Sequence, residues 1–486
     1  MNEQNISGRE LDEALASVET STFKADFEKD DKKAGVFKVA KHLIAEFNPK
    51  TIRGMRRELF VYEDGMYIPG EDILKAEIRH LLEEACTSNY SKEIIDAVKD
   101  LTIVERSAFK TETRLINLKN GTLDFTSGEL LKHSSDFLFM HKIPINYDAD
   151  AECPTVRRYL SDVLDDEQIQ VIQEWFGYAL YREYSFKKAL ICVGEGDTGK
   201  TTLINLFFAF LGERNVSGVS LQKISSDKFA ASHLYEKHIN LYDDLSVRDI
   251  NDNGAFKIAT GGGVITGEKK FGDQFQFKNY AKLTFACNQI PDVKDANDDA
   301  YFRRWIVVQF NRIVEEEKKD PGLIQKLSTE QELSGLLNFA LEGLRRLLER
   351  QKFSYDKDAS EIKTEMLRSG SVVARFGYDC LEQATGEHVR KEDMYSAFTQ
   401  YAAANRLPAV SQKDFSSRLK VCFPYIAEYR PKTVSGKQTY SWRNVRLKPD
   451  EQDDMAPEEE DELQRLFDEV HSQDSQDLSL PYEDGI

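Results

Sequence analysis

A segment near the middle of the chain has the residue types and spacing that bind phosphate. It matches G-x-x-x-x-G-K-[ST], with an apolar run before it and a helical pattern after it, a context that argues against a chance match in a glycine-rich turn. Glycines let backbone N–H groups surround phosphate oxygens, and a lysine neutralises their charge. The predicted nucleotide-binding residues are Gly194, Glu195, Gly196, Asp197, Thr198, Gly199, Lys200, Thr201 and Thr202.

A nucleotide-hydrolysing site also needs acidic residues near the metal. Asp243 and Asp244 end the apolar run Ile239–Tyr242, 43 residues after Lys200. Because the carboxyl ends of parallel strands meet at one edge of a sheet, we predict that Asp243 binds Mg²⁺ together with Thr201. Asp244 is predicted to polarise the attacking water. The alternative is an ordinary strand that ends in two solvated aspartates.

A third apolar run also ends in a polar residue. Asn288 follows Leu283–Cys287 and is predicted to lie between the phosphate loop and Asp243, where it would sense the γ-phosphate. Asparagine shortly before Pro291 is also common in turns, so this signal is weak when taken alone.

Two arginines precede the last apolar run. Arg303 and Arg304 come directly before Trp305, at the start of a predicted strand. At least one of them is predicted to be an arginine finger that reaches the ATP of a neighbouring subunit. The alternative is a structural salt bridge with Asp298 or Asp299.

The elements that position these residues predict a multidomain α/β protein. Apolar runs alternate with helical stretches over residues 186–350, which indicates a parallel sheet covered on both faces. Residues 36–185 are predicted to form a mostly helical domain with a β-hairpin at Asp64-Gly65. The other predicted segments are a flexible leader (1–35), a linker helix (351–370), a small C-terminal domain (371–447) and an acidic disordered tail (448–486).

Charge and cysteine content limit the function classes. The net charge is −19, but the residues from Asp450 onwards carry −14 of it, so the rest of the chain is nearly neutral and can hold a local basic surface for nucleic acid. Six cysteines are spread singly, which favours neither a zinc site nor a disulfide framework. No signal peptide or membrane-length apolar run is found, so a cytoplasmic location is predicted.

The order of these motifs resembles that of superfamily 3 helicases, which are hexameric AAA+ motors of viruses, phages and plasmids. The resemblance implies ATP and Mg²⁺ as ligands and a homo-hexameric ring. It also implies that Lys269, Lys270 and Phe271 form the tip of a hairpin that grips single-stranded DNA. An exposed hairpin with solvated lysines is the alternative. The family usually has Gly-Gly-Asp where this chain has Gly261–Gly263, which leaves the role of that position in doubt.

The resemblance covers residues 36–447. The N-terminal part is similar to the collar domain of the phage/plasmid and poxvirus primase-helicases, and residues 371–447 resemble their C-terminal winged helix. In that domain Lys413, Arg418 and Lys432 are predicted to contact DNA phosphates. A winged helix that binds protein is the alternative. Only about 35 residues precede the collar, too few for a primase domain, so a separate primase or polymerase is an expected partner.

These observations predict an ATP-dependent replicative DNA helicase of a phage, plasmid or mobile element, which acts on single-stranded and forked DNA as a ring. Two alternatives come from other classes of protein. One is an ATP-switched initiator or loader that binds DNA without unwinding it. The other is a ring-forming defence or interaction ATPase that acts on protein.

Overall fold

The computed structural model describes residues 23, 32–54, 57–109, 112–243, 254–268, 274–290, 298–354, 357–405, 407, 410–431 and 439–449. The chain forms two compact units, which divide between Met366 and Leu367. The fold is multidomain α/β, with a central parallel sheet and many helices. Within the described ranges, no helix combines the length and the apolar character that crossing a lipid bilayer requires.

Elements of the first unit are numbered in chain order. Its helices are α1 (Lys32–Phe47), α2 (Glu71–Leu82), α3 (Ser88–Leu101), α4 (Pro154–Val163), α5 (Asp166–Leu180), α6 (Lys200–Leu211), α7 (Leu221–Ser226), α8 (Lys228–Ser232), α9 (Gly254–Thr260), α10 (Asp299–Phe302), α11 (Leu323–Leu327), α12 (Glu330–Arg350) and α13 (Ala359–Gly370), whose last residues follow Met366. Short 3₁₀ helices cover Glu83–Ala85, Arg106–Phe109, Ser135–Phe137, Glu213–Asn215 and Glu316–Lys318.

The strands of this unit form four sheets. They are β1 (Lys50–Ile52), β2 (Leu59–Glu63), β3 (Met66–Pro69), β4 (Ile103–Val104), β5 (Leu115–Leu118), β6 (Gly121–Asp124), β7 (Glu129–Leu131), β8 (Ala189–Val193), β9 (Val216–Ser217), β10 (Ile239–Tyr242), β11 (Val264–Glu268), β12 (Gln274–Lys278), β13 (Lys282–Cys287) and β14 (Trp305–Gln309). The small sheets have the orders β3-β2-β1-β4, β5-β6-β7 and β11-β12.

The N-terminal helices form a small core of their own. Leu74, Ile78 and Leu81 recur at helical spacing along α2, and all three are buried. This face packs with α1, α3 and the sheet that contains β2. The predicted hairpin between β2 and β3 is confirmed, and Asp64 and Gly65 both have the positive φ that a tight hairpin turn requires.

The central sheet has five strands in the order β14-β8-β13-β10-β9, and every neighbouring pair is parallel. All five residues of β8 are buried, which is the pattern of a strand covered on both faces. The prediction of a parallel sheet from four apolar runs is confirmed. The two-residue edge strand β9 is an addition that hydrophobic patterning did not indicate.

Two long helices meet at glycines. A Cβ atom added at Gly177 in α5 would lie 2.3 Å from the carbonyl oxygen of Ala340 in α12. A Cβ atom at Gly343 would lie 2.5 Å from the carbonyl oxygen of Gln173. The two backbones therefore touch directly at this seam, where any side chain larger than hydrogen would force the helices apart.

One large core includes both the segment before the phosphate loop and the central sheet. Ile116, Trp175 and Ile191 are among its buried members, and it extends as far as Met366. The predicted domain boundary between residues 185 and 186 lies within this core. The elements on either side of that boundary are thus packed as one body.

The second unit combines three helices with a three-stranded antiparallel sheet. Its elements are α14 (Val372–Cys380), β15 (Leu381–Arg390), α15 (Lys391–Ala404), α16 (Gln412–Cys422), β16 (Ala427–Tyr429) and β17 (Ser441–Leu447), and the strand order is β15-β17-β16. Phe376, Phe398 and Trp442 are fully buried in its core. Ser411 caps the helix α16, because its hydroxyl accepts a hydrogen bond from the N–H of Asp414 (3.2 Å).

Candidate functional site

The segment Gly194–Thr201 connects β8 to α6, as the sequence pattern requires of a phosphate loop. Gly199 has φ of +94°, a left-handed conformation that favours glycine. A Cβ atom at Gly194 would lie 2.3 Å from the carbonyl oxygen of Phe310, so only glycine fits there. The hydroxyl of Thr198 donates a hydrogen bond to the carbonyl of Glu195 (2.9 Å), which closes the loop on itself.

The ammonium of Lys200 lies inside the loop. Its Nζ donates hydrogen bonds to the carbonyl oxygens of Gly194 (2.8 Å) and Glu195 (2.6 Å), and lies 3.3 Å from the hydroxyl of Thr198. Burial lowers the pKa of Lys200, and the carboxylate of Asp243 opposes that shift. A cation is therefore held among backbone dipoles at the place where a phosphate group is expected.

The first acidic residue of the predicted metal site lies beside the loop. The hydroxyl of Thr201, in the first turn of α6, donates a hydrogen bond of 2.7 Å to the Oδ2 atom of Asp243, which follows β10. Residues 42 positions apart are thus brought together at the carboxyl edge of the sheet. A hydroxyl and a carboxylate in contact are suitable oxygen ligands for Mg²⁺. Asp244 lies outside the described residues.

Asn288 lies at the same edge of the sheet. It follows β13, which is hydrogen-bonded to β8 on one side and to β10 on the other. Cys287 is opposite Val193, and its carbonyl accepts a hydrogen bond from the N–H of Gly194 (3.3 Å). Asn288 is exposed and follows the strand between those leading to the loop and to Asp243.

The arginine pair lies at the opposite edge of the sheet. Arg303 and Arg304 precede Trp305, which begins β14 and is opposite Ala189 at the start of β8. Since a strand residue advances the chain by about 3.3 Å, the length of β14 separates these arginines from the phosphate loop by roughly 15 Å. The two arginines and the phosphate loop of one subunit are therefore on different edges.

The two arginines differ in their surroundings. Arg303 is exposed, whereas Arg304 is partly buried and donates a hydrogen bond to the carbonyl of Ala300. Burial lowers the pKa of Arg304, and the neighbouring charge of Arg303 acts in the same direction. Asp298, one of the predicted salt-bridge partners, forms an ion pair with Lys257 (2.9 Å). Arg303 is thus the more accessible of the pair.

The predicted hairpin before β13 is present. β11 and β12 pair in antiparallel register from Val264↔Lys278 to Glu268↔Gln274. The ring of Tyr235 packs against β12, with its centroid 5.1 Å from that of Phe275 and 5.3 Å from that of Phe277. The candidate DNA-contacting residues Lys269, Lys270 and Phe271 lie between the strands, outside the described residues.

Part of the candidate DNA surface of the second unit is described. Lys413 and Arg418 are both exposed on α16. Lys420, on the same helix, is instead paired with Glu428 (2.7 Å). Lys432 lies outside the described residues.

Some residues at the phosphate loop were not indicated by any sequence motif. The hydroxyl of Tyr159, in α4, donates a hydrogen bond to the carbonyl of Gly199 (2.8 Å). The N–H of Val314 donates to the carbonyl of Asp197 (2.9 Å), and the Lys319 ammonium lies 3.2 Å from the Asp197 carboxylate. These contacts join segments far apart in the chain, so only the fold reveals them.

A second group of buried titratable residues lies at the amino edge of the sheet. Lys282 begins β13 and is fully buried. Its Nζ donates to the carbonyls of Tyr181 and Tyr280 (2.6 Å each) and lies 4.3 Å from the centroid of the Tyr178 ring. Burial lowers the pKa of Lys282 well below its usual value.

Two buried histidines lie close to this lysine. His238 precedes β10, and its ring centroid is 4.6 Å from that of His141. The Nδ1 atom of His238 lies 2.9 Å from the carbonyl oxygen of Ala179. Burial lowers the pKa of His238 to about 3 and also lowers that of His141. Both imidazoles are therefore neutral at physiological pH.

Two family models match parts of the chain. A model described as "D5 N terminal like" matches residues 23–165, and a "Family of unknown function (DUF5906)" matches residues 192–304. The second stretch contains Lys200, Asp243 and Asn288 and ends at Arg304. The chain is thus similar to one family in its N-terminal region and to another across the candidate site.

Individual proteins match as well. "Putative helicase L207/L206" of Acanthamoeba polyphaga mimivirus is 27% identical over 207 residues, which are 40% of this chain and 22% of that protein. The match therefore spans about a fifth of the relative's length. Among solved structures, "The apo structure of NrS-1 C terminal region (305-718)" has a TM-score of 0.46 and 13% identity, and covers 84% of this chain and 98% of that chain. The A form apo structure of that region has a TM-score of 0.42 and 11% identity, with the same coverage of both chains.

Proposed function

We propose that the protein is an ATP-dependent DNA helicase that works as a ring, of the superfamily 3 AAA+ type. The observation that carries the proposal is the contact between Thr201 and Asp243 next to the Lys200 ammonium, at the carboxyl edge of a parallel sheet. That combination of hydroxyl, carboxylate and enclosed lysine suits the phosphates and metal of a nucleoside triphosphate. The similarity to a "D5 N terminal like" model and to a viral protein named as a helicase supports the same class.

Each residue of the site has a role that follows from its position. Lys200 neutralises the β- and γ-phosphates, and Asp244 polarises the attacking water. Asn288, on the strand between the loop and Asp243, senses the γ-phosphate. Thr201 and Asp243 would hold Mg²⁺, which would supply positive charge to offset that of the phosphates.

The location of the arginines supports the proposal of a ring. Because Arg303 and Arg304 are roughly 15 Å of strand away from their own phosphate loop, an arginine finger from this pair acts on the ATP of an adjacent subunit. Closed rings arise from such head-to-tail contacts when the rotation between subunits closes. We propose a homo-hexamer.

DNA is proposed to bind at two places. Lys269, Lys270 and Phe271 join the two strands of the β11–β12 hairpin, where lysine would contact phosphate and the aromatic ring would stack on a base. The second unit has the helix and strand order of a winged helix, with Lys413 and Arg418 exposed on α16 and Lys432 between β16 and β17. Such basic residues would contact the phosphates of the DNA backbone, and contacts of this kind weaken as the salt concentration rises.

A strand-displacement assay on a forked duplex tests the proposal. The wild-type protein with ATP and Mg²⁺ should displace one strand, whereas Lys270→Ala should keep its ATP hydrolysis and lose displacement. Lys278→Ala, an exposed lysine at the base of the same hairpin, is the matched control and should unwind normally. Hydrolysis with DNA binding but no displacement by the wild-type protein would instead indicate the initiator or loader.

A further inference from the structure

The strand order determines on which side of the phosphate loop the base of a bound nucleotide lies. Asp243 follows β10, two strands from β8, and marks the metal end of the site. β14 is hydrogen-bonded to β8 on the other side. If the proposed site holds the phosphate chain at the end of β8 with its γ end towards Asp243, the ribose and base extend the other way, over the end of β14.

The segment that follows β14 is fixed to the phosphate loop at both ends. At its start, Phe310 approaches Gly194 so closely that a Cβ atom there would meet the carbonyl oxygen of Phe310 at 2.3 Å. Further along, Val314 donates its N–H to the carbonyl of Asp197 (2.9 Å), and Lys319 pairs with the carboxylate of Asp197 (3.2 Å). Residues 310–319 are therefore held beside the phosphate loop by contacts at both ends.

Ile313 lies within this segment, directly before the contact between Val314 and the phosphate loop. The residue is 62% exposed. The preceding residue, Arg312, donates a hydrogen bond to the carbonyl of Ser161 at the end of α4 (2.7 Å), which fixes the backbone next to Ile313. A single exposed aliphatic residue is ordinary on a protein surface. Its position between two anchored residues, on the side of the loop away from Asp243, is what distinguishes Ile313.

We propose that Ile313 is the apolar platform on which the purine base of the nucleotide packs, an assignment that rests on the proposed nucleotide site. An aliphatic side chain covers the face of a base and offers no hydrogen bond to its edge. The contact therefore adds to affinity without distinguishing adenine from guanine. Covering the exposed part of this side chain corresponds to about a tenfold change in affinity.

Calorimetric titration of the full-length protein with ATP, GTP and tripolyphosphate tests the assignment. Ile313→Ser should bind ATP about tenfold more weakly than the wild-type protein does, and GTP more weakly by the same factor. Tripolyphosphate, which has no base, should bind to Ile313→Ser with wild-type affinity. Ile313→Val should retain most of the affinity for both nucleotides. Val421→Ser is the matched control, since Val421 is 59% exposed and belongs to the second unit.

Two results would overturn the platform. One is wild-type affinity of Ile313→Ser for ATP, and the other is an equal loss of affinity for tripolyphosphate, because that would mean that Ile313 supports the loop and not the base. If the wild-type protein binds neither ATP nor GTP, the proposed hydrolase fails together with the subsite. If the wild-type protein binds ATP and the Ile313→Ser substitution has no effect on that affinity, only the base subsite is refuted.

Discussion

Each edge of the central sheet holds one of two buried lysines, Lys200 and Lys282, but the surroundings of these lysines differ. At the carboxyl edge, Lys200 is 7% exposed and its neighbours in the site, Thr201 and Asn288, are open to solvent. At the amino edge, Lys282 is 0% exposed and is enclosed by two carbonyl groups and by the Tyr178 ring. Burial lowers the pKa of both lysines.

The difference separates the proposed nucleotide site from a structural cluster. A buried lysine with a lowered pKa occurs at both edges, so neither burial nor the shift identifies function. At the carboxyl edge the lysine lies beside exposed oxygen ligands that a phosphate and a metal can reach. At the amino edge the polar atoms of Lys282 are bound by the protein's own backbone. We therefore expect mutations at the two edges to have opposite effects on activity and stability.

The largest effect is expected from Lys200→Ala. Without the ammonium that neutralises the phosphates, ATP hydrolysis should fall by at least ~10³-fold, which corresponds to about 4 kcal/mol in activation free energy. Thermal stability should change little, because the hydrogen bonds of the lysine hold groups of the loop itself and not of the central core. Phosphate release assays and calorimetry on the same preparation measure both quantities. Hydrolysis at the wild-type rate would refute the assignment of the site.

The opposite behaviour is expected from Lys282→Ala. The substitution leaves a cavity and removes the donor from the carbonyls of Tyr181 and Tyr280, at a cost of about 3 kcal/mol in unfolding free energy. The thermal unfolding midpoint should drop by several degrees, whereas the folded fraction should hydrolyse ATP normally. Lys278→Ala, which removes an exposed lysine nearby, should leave the midpoint unchanged. Equal unfolding midpoints of Lys282→Ala and Lys278→Ala would contradict the structural role of Lys282.

A smaller effect is expected from acidification. The pKa of His238 is about 3 in the folded protein and about 6.5 in an unfolded chain, so the unfolded state binds more protons between these values. Stability should therefore decrease as pH falls below about 6.5, by roughly 2 kcal/mol at pH 5 from this residue. Unfolding measured from pH 7 to pH 4.5 should show a shallower dependence in His238→Gln. Identical slopes for the variant and the wild-type protein would show that His238 does not couple folding to pH.

Local sequence patterns predicted much of the sheet. The apolar run before the phosphate loop forms β8, which ends next to Gly194, and Ile239–Tyr242 is a strand with the predicted limits, which ends next to Asp243. β13 begins one residue earlier than predicted, at Lys282. A lysine is a poor indicator of a buried strand, and only the surrounding carbonyls and rings make its burial possible.

The site was predictable to the extent that its residues lie in motifs. Lys200, Thr201 and Asp243 were found because they adjoin a glycine loop and the end of a strand. Tyr159 and Ile313 have no such signal, since their relation to the loop arises from long-range packing. The roles of Asp244, Lys269, Lys270, Phe271 and Lys432 stay predictions.

The glycine seam between α5 and α12 has a consequence for tracing the ancestry of this protein. Gly177 and Gly343 lie far apart in the sequence, yet each position leaves no space for a methyl group against the opposite backbone. Surface residues can drift freely over evolutionary time, but these two positions can change only if the helices separate. Glycine at both places, each with a spacing from the phosphate loop like that in this chain, should therefore be a marker for distant relatives whose overall identity is too low to detect.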